Sequence, residues 1–137
     1  MNTVLTYLTI LLTGVIMQAQ NTIEVSMNNF KNDNGTVKIG LYNSEGDFLE
    51  KGYKFDSATI SGKMASAVFS DIPDGTYAIS CYHDENDNNK FDMYMGFFPK
   101  EPYACSNGAT GMFGPPKWSD AKFEVSNGEV KNVEVKF

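Results

Sequence analysis

Short runs in which apolar and polar residues alternate one by one are the feature that most limits what this chain can fold into. The most regular run follows the turn at residues 73–75, where Tyr77, Ile79 and Cys81 share one face and the residues between them share the other. A side-chain period of two is that of a half-buried β-strand. No window beyond the N-terminal segment keeps the 3.6-residue period of an amphipathic helix. The chain is therefore predicted to be all-β.

Turn-forming clusters of Asn, Asp, Gly and Pro separate these runs, as they do in a β-sandwich or barrel. Asn-Gly between alternating runs is a strong hairpin signal, so the turn at residues 127–128 predicts that residues 123–125 and 130–137 pair. The interval 83–120 has no clear strand but is rich in aromatic residues, which predicts an ordered loop segment packed over the sandwich. We expect an antiparallel, immunoglobulin-like sandwich of about seven strands.

The N-terminal segment has the character of a targeting sequence. Val4 to Met17 form an uncharged apolar run, which is shorter than the ~20 apolar residues that a membrane-spanning helix needs. Small and polar residues follow the run, and Ala19 is the expected last residue before cleavage. Residues 1–19 are thus predicted to be a cleaved signal peptide and residues 20–137 a single domain, which predicts a periplasmic or secreted protein without membrane insertion.

The charge of the chain excludes some partners. Seventeen acidic residues stand against eleven basic ones, and the net charge is −6. Nucleic acid and anionic membranes would both be repelled by this excess of acid. The composition suits a protein, expected to be monomeric, that binds cations or neutral ligands.

An acidic segment directly after the most regular strand has the spacing of a calcium loop. Oxygen donors fall at relative positions 1, 3, 5, 7 and 9, namely Asp84, Asn86, Asn88, Lys90 (through its backbone carbonyl) and Asp92. Ca²⁺ is a hard cation that takes six to eight oxygen ligands, so these donors are of the right kind. The segment is therefore a candidate Ca²⁺ site.

Two positions of this loop depart from an EF-hand. Asn89 stands where such loops have Gly, although Asn also tolerates a positive φ. Met95 stands where they have a bidentate Glu, so Asp87 or Glu101 would have to supply that ligand. The alternative interpretation is a solvated Asn/Asp turn held by hydrogen bonds from its side chains to its backbone.

The two cysteines leave two interpretations open. In an oxidising compartment Cys81 and Cys105 would form a disulfide; otherwise they are two buried free thiols. Two cysteines and one histidine give no zinc-site spacing.

Other candidate chemistry is weaker. A hydrolase would use His83, the one histidine, but no Gly-x-Ser-x-Gly elbow occurs, and neighbouring residues on a strand point to opposite faces. A structural histidine at the strand end is the expected role, and no catalytic residue is assigned. Among the aromatic residues of the long segment, Tyr94 and Trp118 are the candidates for a ligand surface, while core packing explains the others.

A series of motifs runs along the chain: Gly35–Val37, Leu41–Asn43, Ile72–Ala78, His83–Asn86 with Asp92, Ser106–Asn107, Phe113–Pro116 and Asp120–Ala121. Taken together and in this order, they resemble an exported bacterial family catalogued as domain of unknown function 2141. The resemblance runs from about Ile23 to the end of the chain. It implies a periplasmic or secreted β-sandwich without enzymatic activity. The turn at residues 74–77 is also similar to that of transthyretin-like modules, which concerns architecture alone.

These observations favour a non-catalytic binding or accessory module of unknown ligand. Ca²⁺ in the acidic loop would fix the strand end and the long segment, and so shape a surface for a protein or glycan partner. Two alternatives remain open: a hydrolase-type enzyme with the 83–120 segment as its lid, and a purely structural envelope protein.

Overall fold

The computed structural model describes residues 20–94, 98–111 and 114–137; the side chains of Tyr94 and Phe98 are outside this description, as is the predicted signal peptide, residues 1–19. The described strands are β1 (Asn21–Asn28), β2 (Thr36–Tyr42), β3 (Lys54–Thr59), β4 (Ala65–Ile72), β5 (Gly75–Asp84), β6 (Met93–Tyr94), β7 (Phe98–Pro99), β8 (Tyr103–Cys105), β9 (Phe123–Val125) and β10 (Val130–Lys136). One short helix, α1 (Trp118–Ala121), and a 3₁₀ turn at Ser106–Gly108 accompany them in the described part of the chain.

The strands form two main sheets. One has the order β10-β1-β4, and the other has the order β3-β2-β5-β8 with β9 also paired to β5. A separate hairpin joins β6 and β7. The prediction of an all-β sandwich is confirmed.

Alternation along the strands builds the core between the sheets. In β1 the buried apolar side chains are Ile23, Val25 and Met27, while Glu24 and Ser26 are exposed. In β5 the predicted apolar face is buried as well, because Tyr77, Ile79 and Cys81 all belong to the main core cluster. At one end of the sandwich the core closes with Phe30 stacked on Phe137, whose ring centroids are 4.3 Å apart.

The C-terminal strand corrects the predicted antiparallel pairing. β10 pairs with β1 in parallel, so that Val133 lies opposite Val25. The predicted hairpin around Asn127 and Gly128 is also wrong: β9 pairs with β5 in one sheet and β10 joins the other. Both turn residues take a positive φ, so the turn is tight as predicted. Alternation determines which face of a strand is buried but leaves its neighbour undetermined.

The long segment after β5 is ordered in its described parts and contributes to the sheet. β8 pairs with β5 opposite residues 80–82, and β9 pairs with the same edge of β5 opposite residues 75–77. The strand β8 and the helix α1 were not expected from the sequence. In the part of the chain that the structure describes, no helix is sufficiently long and apolar to cross a membrane.

Candidate functional site

Asp84 ends β5 and forms the base of the acidic loop. Its side chain is fully buried, and its carboxylate accepts hydrogen bonds from the backbone N–H groups of Asn88 (3.2 Å) and Asn89 (2.9 Å). Asn89 takes a φ of 62°, the left-handed conformation for which Asn was expected to substitute for Gly. The buried carboxylate thus holds the chain in a tight turn directly after the strand.

Asp92 receives the side chains from the middle of the loop. The Nδ2 group of Asn86 donates to Asp92 Oδ2 (3.1 Å), and Nδ2 of Asn88 donates to both carboxylate oxygens (3.0 and 2.9 Å). These hydrogen bonds, led by the one from Asn88, lower the pKa of Asp92. Residues at relative positions 3, 5 and 9 therefore point toward one another. At position 7, the backbone N–H of Lys90 donates to Asn88 Oδ1 (2.9 Å).

Glu101 approaches this loop from the other side. Its side chain is only 7 % exposed, and Oε2 has no hydrogen-bond partner among the described residues. Burial, the hydrogen bond with Asp92 and the negative charges of Asp92 and Asp84 together raise the pKa of Glu101 to about 7. Glu101 is therefore hydrogen-bonded to Asp92 and within reach of the charge of Asp84.

Backbone hydrogen bonds on both sides of Glu101 hold it against the loop. The N–H of Lys100 donates to the carbonyl of Asp92 (2.8 Å), and the N–H of His83 donates to the carbonyl of Pro102 (2.8 Å). The tether on each side of Glu101 fixes the position of its Cα relative to β5.

Aromatic rings lie beside the carboxyl groups. The ring centroids of Tyr82 and Phe91 are 5.1 Å apart, and those of Phe91 and Tyr103 are 6.0 Å apart. Burial raises the pKa of Tyr82, and the charges of Asp84, Glu101 and Asp92 add to that rise. Tyr82 is therefore a near neighbour of all three carboxyl groups.

The loop offers oxygen donors, which suit a hard cation. Across residues 20–94, 98–111 and 114–137, no group of three or more His, Cys, Asp or Glu side chains is already set to hold a metal ion. Instead, the amide groups of Asn86 and Asn88 occupy the positions around Asp92 that a cation would take. A bound cation would have to displace these N–H donors and draw the amide oxygens inward.

His83 is enclosed and has a structural environment. Its side chain is fully buried, Nε2 lies 2.6 Å from the carbonyl of Asn34, and the ring meets Phe30 edge-on at 5.3 Å. Its Nδ1 atom has no hydrogen-bond partner among the described residues and lies 3.9 Å from a carboxylate oxygen of Glu85. This burial favours the structural role over that of a catalytic base.

Of the two interpretations left open for the cysteines, the structure has the free thiols, since Cys81 and Cys105 are buried and not bonded to each other. Cys81 lies opposite Ala104, and Cys105 lies opposite Ser80. Because directly opposite residues share a face of the sheet and successive residues do not, the side chains of Cys81 and Cys105 lie on opposite faces. Cys81 points into the core between the sheets, whereas Cys105 packs on the outer face with Ala78 and Ala121. Burial raises the pKa of Cys81 well above its ordinary value and also raises that of Cys105.

Trp118 lies at a surface cleft. The half-buried indole meets the ring of Phe48 edge-on at 5.8 Å, and the cleft of about 510 Å³ also contains Leu49, Pro115 and Pro116. Glu45, Glu50, Lys117 and Ser119 complete its lining. The side chain of Tyr94, the other predicted surface residue, lies outside the described residues. The structure therefore locates one of the two aromatic candidates at a cleft.

Comparison with known proteins connects the chain to a family. A model of the family described as an uncharacterized protein conserved in bacteria (DUF2141) matches residues 25–133. No curated protein and no solved structure matches the chain significantly. The family match begins within β1, ends within β10 and includes the acidic loop, Glu101 and Trp118. This chain therefore belongs to the DUF2141 family of uncharacterized bacterial proteins.

Proposed function

We propose that this chain is an exported, non-catalytic binding or accessory module whose acidic loop, residues 84–92, binds Ca²⁺ as a structural clip. The observation that carries the proposal is the convergence of Asn86 and Asn88 on Asp92, at 2.9 to 3.1 Å, in a turn organised by the buried carboxylate of Asp84. Carboxylate and amide oxygens are the ligands that Ca²⁺ prefers, and the affinity belongs to the weaker, extracellular class.

The clip would act on the long segment that follows β5. Asp92 is joined to Lys100 through a backbone hydrogen bond of 2.8 Å, so a cation held by Asp92 also restrains the approach to β8. The ordered segment then supports a surface for a protein or glycan partner, and the cleft beside Trp118 and Phe48 is the surface that we assign to that partner. Trp and Phe rings provide a large, rigid contact area for such binding.

Several features support a non-catalytic role in the periplasm or outside the cell. The histidine is buried away from solvent, which makes it unsuited to act as the general base of a hydrolase. The net charge of −6 opposes nucleic-acid partners, and the N-terminal apolar run supports export. We expect the mature protein to act as a monomer.

Thermal unfolding with and without Ca²⁺ tests the proposal. In Ca²⁺ at about 100 times its Kd, mass action stabilises the native state by about 2.7 kcal/mol, which raises the midpoint by roughly 10 °C for a domain of this size. Asp92→Asn should remove this rise, because it removes the carboxylate at which the loop side chains meet. A midpoint of the unmodified protein that is the same in chelator and in ~10–100 mM Ca²⁺, which is about 100 times the Kd of this affinity class, would contradict the proposal.

The matched control is Asp56→Asn. Asp56 is an exposed aspartate on β3, distant along the chain from the loop, and its Oδ1 atom accepts a hydrogen bond from the N–H of the neighbouring Ser57. The substitution removes the same charge as Asp92→Asn, so general charge effects are equal in the two variants. Loss of the Ca²⁺ response in both variants would show that the response does not come from the acidic loop.

A further inference from the structure

The acidic loop lacks one ligand that its spacing calls for. Met95 stands at relative position 12, where a calcium loop of this spacing has a bidentate carboxylate. Two acidic side chains near the loop, Asp87 and Glu101, are the alternatives for this ligand, and the structure distinguishes between them.

Asp87 is engaged elsewhere. Its Oδ1 atom accepts a hydrogen bond from the hydroxyl group of Thr36, at 2.9 Å, and its side chain is exposed at the surface. Thr36 is the first residue of β2, so this carboxylate already ties the loop to a neighbouring strand. Recruiting Asp87 as a metal ligand would break that contact.

Glu101 has the opposite character. It is 93 % buried, and one carboxyl oxygen has no partner among the described residues. The other side of the same carboxyl group interacts with Asp92, and the negative charge of Asp84 also acts on it. A buried carboxyl with an unused oxygen beside two other carboxylates is stabilised either by a proton or by a cation that draws the three groups together.

We infer that Glu101 is the ligand from outside the loop that completes a divalent-cation site with Asp84 and Asp92. The cation thereby joins the end of β5 to the residues that lead into β8. The inference rests on the proposed function, since it names a ligand of the same Ca²⁺ site. The hydrogen bonds of Lys100 to Asp92 and of His83 to Pro102 hold Glu101 in place before the cation arrives.

Terbium luminescence on the full chain tests this inference. Tb³⁺ occupies oxygen-ligand sites for Ca²⁺, and it emits when a nearby tyrosine is excited. Tyr82 is close to all three carboxyl groups, so bound Tb³⁺ should give sensitised emission that Ca²⁺ displaces. Tyr82→Phe should weaken the emission while leaving the Ca²⁺-dependent rise in unfolding midpoint unchanged, which would locate the ion at this site.

The decisive variant is Glu101→Gln, compared with Glu85→Gln and Asp87→Asn. Glu101→Gln should weaken Tb³⁺ and Ca²⁺ binding by about tenfold or more, the scale of loss when partners of a metal site are removed. Glu85→Gln removes an equal charge at a loop position off the ligand spacing, and Asp87→Asn tests the competing ligand. Both controls should retain binding within about threefold of the unmodified chain.

The outcomes separate this inference from the proposed function. If Asp92→Asn abolishes binding while Glu101→Gln leaves it intact, or if Asp87→Asn causes the loss instead, Glu101 is not the ligand and the loop site stands. If the unmodified chain binds neither ion, both proposals are overturned. The unfolding midpoint of Glu101→Gln in chelator should equal or exceed that of the unmodified chain, because the change removes a like charge. A lower midpoint would assign Glu101 a structural role instead.

Discussion

At the scale of single residues, Ser106 fills a gap in the hydrogen bonding of β5. β8 and β9 pair with the same edge of β5 and leave Ile79 between them. The buried hydroxyl of Ser106 accepts a hydrogen bond from the Ile79 N–H (3.0 Å) and donates one to the carbonyl of Ala121 (2.6 Å). Asn107 adds a bond to the carbonyl of Lys122 (2.8 Å). The Ser-Asn motif thus joins β5 to the segment between α1 and β9.

Ser106→Ala should destabilise the protein by about 1–3 kcal/mol, because the buried N–H of Ile79 and the carbonyl of Ala121 lose a partner where water cannot replace it. Urea denaturation gives the free energy of unfolding. Ser119→Ala, an exposed serine in α1, should change it by about 0.5 kcal/mol or less. Equal losses in the two variants would refute the role of Ser106.

The candidate site was partly predictable at this scale. The 1, 3, 5, 9 spacing predicts that the oxygens of this loop turn toward one centre, and Asn86 and Asn88 do meet Asp92, but through their Nδ2 groups. The same reasoning left Asp87 and Glu101 equivalent. Only tertiary structure separates them, because the position of Glu101 depends on backbone bonds made by its neighbours to β5 and to the loop.

At the scale of elements, β10 shows how a strand can be recognised without its neighbour. The alternation of Val133 and Val135 with charged residues correctly predicts which face of β10 is buried. The turn before it, however, passes the chain from one sheet to the other. β8 was missed for a related reason: with the bounds Tyr103–Cys105 it is too short to show a period.

Val135→Ala tests whether β10 belongs to the core. Val135 is fully buried, so loss of its methyl groups leaves a cavity and should cost about 1–3 kcal/mol. Val130 begins the same strand but is 57 % exposed, and Val130→Ala should cost about 0.5 kcal/mol or less. Chemical denaturation measures both. A cost for Val130→Ala as large as that for Val135→Ala would contradict the burial pattern.

At the scale of the whole molecule, the structure is held by its core, with no disulfide among the described residues. The sequence alone left the pairing of the cysteines open, because spacing does not tell which face of a sheet a residue occupies. The register of β5 with β8 keeps the two thiols apart, because it directs Cys81 into the core and Cys105 to the outer face of the sheet.

Both thiols should therefore be unreactive in the folded protein. Burial excludes reagents from Cys81 and Cys105, and the raised pKa of Cys81 keeps it in the unreactive thiol form. An alkylating reagent, read by mass spectrometry, should modify neither thiol in the native state and both in denaturant. A reducing agent should leave the unfolding midpoint unchanged, and a lower midpoint with the reducing agent would indicate a bridge.

The parallel pairing of β1 with β10 has a consequence for how the protein folds. β1 (Asn21–Asn28) is the first described strand, and one of its two neighbours, β10 (Val130–Lys136), is the last. Its sheet is therefore completed only when nearly the entire domain is available. Bringing such distant segments together costs loop-closure entropy before any contact compensates for it, so folding should be slow for a chain of this size. A chain that ends before β10 should therefore be unable to complete this sheet or to reach its native state.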